Sequence, residues 1–266
     1  MSLSTRIPTA IVLICIAILG IVQGGGLFFT GIVVICVLCL HEILKMKNLY
    51  INPFFTIFLY FVLSIFLFLA LMPYINLFFW NSSLLCITSL CIVALSLYET
   101  INKKIITPKN NYIQGLITVL KIGLSLPYFI LIRMYAGIPL TLLLIVIVAT
   151  VDSASYFSGK FLGKRKLNSI SPNKTIEGTI GGITTTLVSA TCIIFLLDLS
   201  IIPYLILTVL IIILAIYGDL HESLQKRKSN IKNSSSILPG HGGIYDRLDS
   251  YILALPVTFY YYVHFL

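Results

Sequence analysis

Charge is what this chain has least of. Only 10% of its 266 residues are charged, against roughly 25% in soluble domains. Hydrophobic residues reach 58%, and the mean hydropathy is +1.03. That balance excludes a soluble globule with an ordinary core and leaves a polytopic membrane protein. Apolar and polar residues do not alternate along the chain, so a membrane β-barrel is excluded as well. The six cysteines are Cys15, Cys36, Cys39, Cys86, Cys91 and Cys192, all in apolar runs. Cys36 and Cys39 form a C-x-x-C inside GIVVICVLCL with no second ligand pair nearby. They read as small side chains among helices rather than a metal or redox centre. Arg6 precedes an apolar run, but no small-residue cleavage site of the A-x-A kind follows. The run therefore reads as a retained first span. No internal repeat stands out.

What is present is a series of apolar stretches, each near the 20 or so residues that a membrane helix needs. They cover residues 7–22, 26–44, 50–72, 77–97, 112–134, 137–157, 178–197, 200–217 and 248–265. Backbone amides in hydrocarbon need partners within their own segment, so these are expected to be helices. The fold class expected is all-α, polytopic, with about nine transmembrane helices. Of 18 basic residues, all but Lys121 and Arg133 fall in the odd-numbered connections, counting from Arg6 ahead of the first span. Basic loops stay cytoplasmic, which predicts a cytoplasmic N-terminus. The net charge of +9 is then a mark of topology and of contact with anionic headgroups, and nucleic-acid binding is not needed to explain it. Glu42, Glu99 and Asp198 are scattered, whereas the other six acids gather near two long cytoplasmic loops. Residues 1–136 read as a transmembrane scaffold and 137–266 as the working region.

Three stretches of that region carry chemistry. In YGDLHESLQKRK a continuing helix would put Asp219, Glu222, Ser223 and Lys226 on one face. An acid at the apolar boundary usually pairs or binds something, although an interfacial helix end with snorkelling lysines reads equally well. In IKNSSSILPGHGGIYDRLDSYIL, Asp246 and Asp249 lie one helical turn apart at the start of the last span, after a turn built from Pro239, Gly240, Gly242 and Gly243 around His241. With Asp219 arriving from the previous span, these carboxylates suit a hard cation such as Mg²⁺. Lys226, Arg227, Lys232 and Arg247 would neutralise phosphate oxygens. Asp249 also reads as a charge at a helix N-terminus. In VDSASYFSGKFLGKRKLNSISPNKTIEG, Ser155, Gly159 and Gly163 are spaced for close helix contact. Ser171, Lys174 and Thr175 offer phosphate contacts ahead of a helix N-terminus. The stretch lacks the glycine pattern of a P-loop, and a plain positive-inside loop is the alternative.

Residues 223–249, SLQKRKSNIKNSSSILPGHGGIYDRLD, resemble the signature of the phosphatidate cytidylyltransferases, or CDP-diacylglycerol synthases. That signature runs Ser, Lys-Arg, Lys-Asp after four residues, then Pro-x-His-Gly-Gly-x-x-Asp-Arg-x-Asp. Ser223, Lys226, Arg227, Lys232, Pro239, His241, Gly242, Gly243, Asp246, Arg247 and Asp249 match it. The resemblance extends over roughly residues 151–266, including GDLHES. Two positions depart from it: Asn233 stands where the family has Asp, and Gln225 where it has an apolar residue.

The resemblance implies transfer of CMP from CTP to phosphatidate, giving CDP-diacylglycerol and pyrophosphate at the cytoplasmic face of the inner (plasma) membrane. It implies Mg²⁺, with room for a second cation, held by Asp219, Asp246 and Asp249. Lys226, Arg227, Lys232, Lys174 and Arg247 would hold phosphates, with Ser171 and Ser223 beside the substrates. His241 would touch a phosphate or organise its loop, and Asp152 would position a base or shape the site. Membrane lipid is a partner, nucleic acid is not, and a homodimer is compatible. The alternative is a transporter of an anionic solute or lipid phosphate, motivated by Lys121 inside the fifth span and the basic loops. Lys121 itself reads first as a snorkelling side chain.

Overall fold

The computed structural model describes residues 3–47, 49, 52–71, 111–167, 171, 174–231, 233–235, 237–238 and 242–266. Within them the chain forms helices α1 (Leu3–Gln23), α2 (Gly25–Met46), α3 (Pro53–Leu71), α4 (Asn111–Gly123), α5 (Tyr128–Tyr135), α6 (Gly137–Leu162), α7 (Ile176–Leu196), α8 (Ile201–Lys228) and α9 (Tyr245–Phe265). No strand occurs among the described residues, which hold only isolated bridges at Lys166–Thr175 and Leu238–Gly242. Five segments are long and apolar enough to cross a membrane: Gly25–Met46, Tyr112–Tyr135, Gly137–Leu162, Ile176–Leu196 and Ile201–Lys228. The all-α membrane fold is as expected. The expected span over 77–97 lies outside the described residues.

The fifth expected span is not one uninterrupted helix. It divides into α4 and α5 at a turn over residues 124–127. Pro127 lacks an N–H and crowds the turn before it, so the α4 helix stops and α5 starts from the proline. Arg133 near the end of α5 reaches α1, where its Nε donates to the Ile21 carbonyl at 2.5 Å and Nη2 to that of Val22 at 3.3 Å. These are carbonyls that a helix end leaves without helical partners.

Apolar helices in lipid gain little from the hydrophobic effect when they associate, so close packing carries their contacts. The α6–α7 seam follows that rule. A Cβ added to Gly178 would lie 2.8 Å from both the Gly159 Cα and the Ser155 carbonyl oxygen. One added to Gly182 would run into the Ser155 hydroxyl and sit 2.9 Å from the Val151 carbonyl. The small residues spaced by four on α6 thus meet a second small-residue row on α7. The α8–α9 seam closes at Gly218, where a Cβ would sit 2.5 Å from the Asp249 carbonyl oxygen. Leu40, Leu44, Leu63, Ile122, Leu131, Leu144, Ile211 and Leu255 are buried at the centre. Ile14, Leu19, Phe54, Phe61, Val188 and Ile202 point outward, as lipid-facing side chains do.

Candidate active site

Helices α8 and α9 bring three acids together. Ligand oxygens of Asp219, Glu222 and Asp249 lie within 4.8 Å of one another. Asp219 and Glu222 are three residues apart on α8 and so share a face. Asp249 comes from the second turn of α9 and is held against α8 by the contact at Gly218. Glu222 and Asp249 are buried. One oxygen of Glu222, Oε1, is buried without a hydrogen-bond partner, and its other oxygen receives Lys226 Nζ at 2.6 Å. A buried, unpartnered carboxylate oxygen beside two more carboxylates is a donor set suited to a hard divalent cation.

Asp246, expected to join Asp219 and Asp249, is bonded to its own loop and to Lys226. It stands outside the three-acid group and organises the loop before α9. Its carboxylate accepts from Ser234 N at 3.1 Å and Gly243 N at 2.9 Å, and pairs with Lys226 Nζ at 3.2 Å. The acid thereby bends back onto its own loop, where Gly242 adopts φ 84. A side chain at Gly242 would run into the Asp246 carboxylate. Asp246 lies ahead of the apolar stretch that starts at Leu248. Lys226 therefore bridges Glu222 and Asp246 rather than standing free for substrate.

Beside the acids opens a cavity of about 440 Å³, lined by Asp152, Ser155, Tyr156, Gly159, Lys160, Ser171, Lys174, Thr175, Thr179, Ile216 and Asp219. Lys174 forms an ion pair with Asp219 across it. The wall containing Lys174 is pinned from several sides. Glu177 accepts from Lys164 N at 3.0 Å and Arg165 N at 3.1 Å. Leu167 N donates to the Lys174 carbonyl at 2.8 Å and Ile176 N to that of Arg165 at 2.9 Å. Thr175 caps α7, its hydroxyl accepting from Gly178 N at 3.1 Å. Its hydroxyl is thus committed to the helix, and Ser171 and Lys174 line the cavity beside it.

The other expected residues fall as follows. Arg227 and Arg247 are exposed and Ser223 is half-buried. Lys232 and His241, with Pro239 and Gly240, lie outside the described residues. Asn233 is exposed, while the neighbouring amide of Ser234 is the group that Asp246 holds. Gln225 is buried and accepts from the Tyr245 hydroxyl at 3.1 Å, which gives a polar side chain at that depth its partner. Lys121 is 7% exposed and lines a small cleft with Lys47, His221, Gln225 and Asp249.

Sequence reasoning set Glu42 aside as a scattered acid. It is 1% exposed, and its two oxygens take hydrogen bonds from Ser234 Oγ at 2.9 Å, Ser235 Oγ at 2.6 Å, Ile244 N at 2.9 Å and Tyr245 N at 2.9 Å. Its place inside an apolar span was the signal that it has partners.

A sequence profile described as "Cytidylyltransferase family" matches residues 4–265. The chain belongs to the cytidylyltransferase family. Among curated relatives, the phosphatidate cytidylyltransferase of Bacillus subtilis (strain 168) is 44% identical over 154 residues, covering 55% of this chain and 57% of the relative. That of Haemophilus influenzae is 43% identical over 135 residues, 48% of this chain and 47% of the relative. That of Synechocystis sp. is 37% identical over 132 residues, 48% and 44% respectively. The chain thus spans about half the length of the curated relatives it matches. These relatives lend the transporter reading no support.

Proposed function

We propose that this protein transfers CMP from CTP to phosphatidate, yielding CDP-diacylglycerol and pyrophosphate. The observation that carries the reading is a cavity of about 440 Å³, lined by Lys174, Ser171 and Asp219 among others, abutting three convergent carboxylates in a family of cytidylyltransferases. The relatives' shared name supplies the acceptor. A phosphatidate oxygen attacks the α-phosphorus of CTP. The new P–O bond forms as the bond to the bridging oxygen breaks, and pyrophosphate leaves with that electron pair. The attacking oxygen is already anionic, so no general base is required.

Asp219, Glu222 and Asp249 would hold Mg²⁺, which would offset the repulsion between two polyanions and the charge on departing pyrophosphate. The chain's own side chains align the reactants. Lys174 and Ser171 offer the cavity a cation and a hydroxyl for phosphate oxygens, and Asp152 shapes its rim. Lys226 keeps Glu222 and Asp246 from repelling each other and so supports the acids at short range. Arg227, Arg247, Lys232, Ser223 and His241 are assigned to substrate phosphates or to their loop through the shared signature. Residues 137–266 carry this chemistry and residues 1–136 serve as scaffold. The site opens to the cytoplasm, with the N-terminus on the same side, in a bacterial inner membrane.

The test is an assay of the full chain in mixed micelles with CTP, phosphatidate and Mg²⁺. Pyrophosphate and CDP-lipid should appear in equal amounts, and ATP should not replace CTP. Turnover of a different nucleotide or lipid phosphate in place of this pair would overturn the proposal.

A further inference from the structure

Helix α9 begins without a cap of its own. No side chain near Ile244 accepts a hydrogen bond from its first turn. Yet the start of α9 sets where Asp249 lies, since that acid is one turn further on. The first amides of a helix need an acceptor, and a negative charge there is favourable.

Glu42 supplies it from α2. One carboxylate oxygen takes Ile244 N and Ser235 Oγ, the other Tyr245 N and Ser234 Oγ. Each oxygen thus joins one helix amide to one loop hydroxyl. Ser234 is also the residue whose amide Asp246 holds. Each of the two acids therefore ties the two ends of the loop together, Glu42 from another helix and Asp246 from within. The space is tight: a side chain on Gly243 would collide with the Glu42 carboxylate and the Ser234 hydroxyl.

We infer that Glu42 is a positioning residue for the acidic site, capping α9 from a distant helix and thereby fixing the height and rotation of Asp249. The scaffold half of the chain then takes part in catalysis without touching a substrate. The carboxylate is required rather than mere bulk, because backbone N–H groups can only donate. The amide of a Glu42→Gln variant would turn an N–H₂ toward one of them, whereas the serine hydroxyls could rotate to accommodate it.

The inference rests on the proposed acidic metal site, so its test reads metal binding as well as turnover. Purified full-length wild type, Glu42→Ala, Glu42→Gln and Arg133→Ala are compared in detergent. Measured are kcat, KM for CTP, the Mg²⁺ concentration for half activity, and the rise of Tm with added Mg²⁺ in the absence of substrate. Outer residues that orient metal ligands typically cost about 10–100-fold in affinity or activity when removed. Glu42→Ala should fall in that range in kcat and need correspondingly more Mg²⁺, with KM for CTP within about threefold. Glu42→Gln should lie between it and wild type. Arg133→Ala, which loses a helix clamp far along the chain, should lower Tm and leave the Mg²⁺ requirement unchanged. If Glu42→Ala does not fold, Glu42→Gln carries the comparison. A folded variant with wild-type kcat and wild-type Mg²⁺ requirement overturns the inference. So does a loss that, as in Arg133→Ala, is confined to Tm. Wild type that shows the Mg²⁺ shift in Tm but makes no CDP-lipid overturns the proposed reaction and leaves the Glu42 comparison readable through metal binding.

Discussion

Four acids cluster where α8 meets the start of α9, and their neighbours divide the work among them. Glu222 has one oxygen spoken for by Lys226 and one buried without a partner. Asp246 is occupied by loop amides and the same lysine. The two acids should therefore fail differently. Glu222→Gln keeps the shape but removes a charged oxygen from the three-acid group, so activity should drop about 10–100-fold with a raised Mg²⁺ requirement. Asp246→Ala frees the loop, and its first sign should be faster protease cleavage within residues 231–244. An assay at rising Mg²⁺ separates them, because excess metal should rescue Glu222→Gln in part and leave Asp246→Ala low. Asp219 and Asp249 were legible from the sequence because a boundary acid and a helix-turn pair stand out in an apolar chain. Glu222 was visible on the same face as Asp219, but the one-turn spacing from Asp249 drew attention to Asp246, whose local amide bonds no spacing reveals. Glu42 was illegible for another reason: its partners lie about two hundred positions away, and an isolated acid says that a partner exists without saying which.

At the scale of helices, the apolar runs located the described helices, since length and hydropathy are what lipid requires of a span, but α6 and α8 run on past 157 and 217 to Leu162 and Lys228. The break between α4 and α5 escaped because hydropathy is blind to a missing N–H, although Pro127 marked it. The seams were half legible: the small residues of α6 announced close contact, while their partner row on α7 is a matter of tertiary placement. That contact is tight enough to test. Gly182→Val would push a branched side chain into Ser155 and the Val151 carbonyl, and overpacking of this kind costs about 1–3 kcal/mol. A lower Tm is expected, together with weaker CTP binding, because α6 and α7 both line the cavity. Val at Gly31, where a Cβ meets nothing within 4 Å, should be tolerated and serves as the control.

For the molecule as a whole, the distribution of lysine and arginine makes a claim about sidedness that can be measured directly. In a cysteine-free background, single cysteines at the exposed positions Lys164, Lys228 and Asp198 should label with an impermeant thiol reagent in two classes. The first two should react from the cytoplasmic side and Asp198→Cys from the other. Labelling of all three from one side would defeat the arrangement. The same architecture governs traffic into the pocket. Lys174 seated on Asp219 is a counter-ion tethered to the wall, so a bare cation must evict it against its own charge. On the proposed reading, the phosphates of an arriving nucleotide would draw off the ammonium and leave the Asp219 carboxylate to the accompanying cation. Filling the pocket would then be an exchange of partners, opposed less for the pair than for the ion alone.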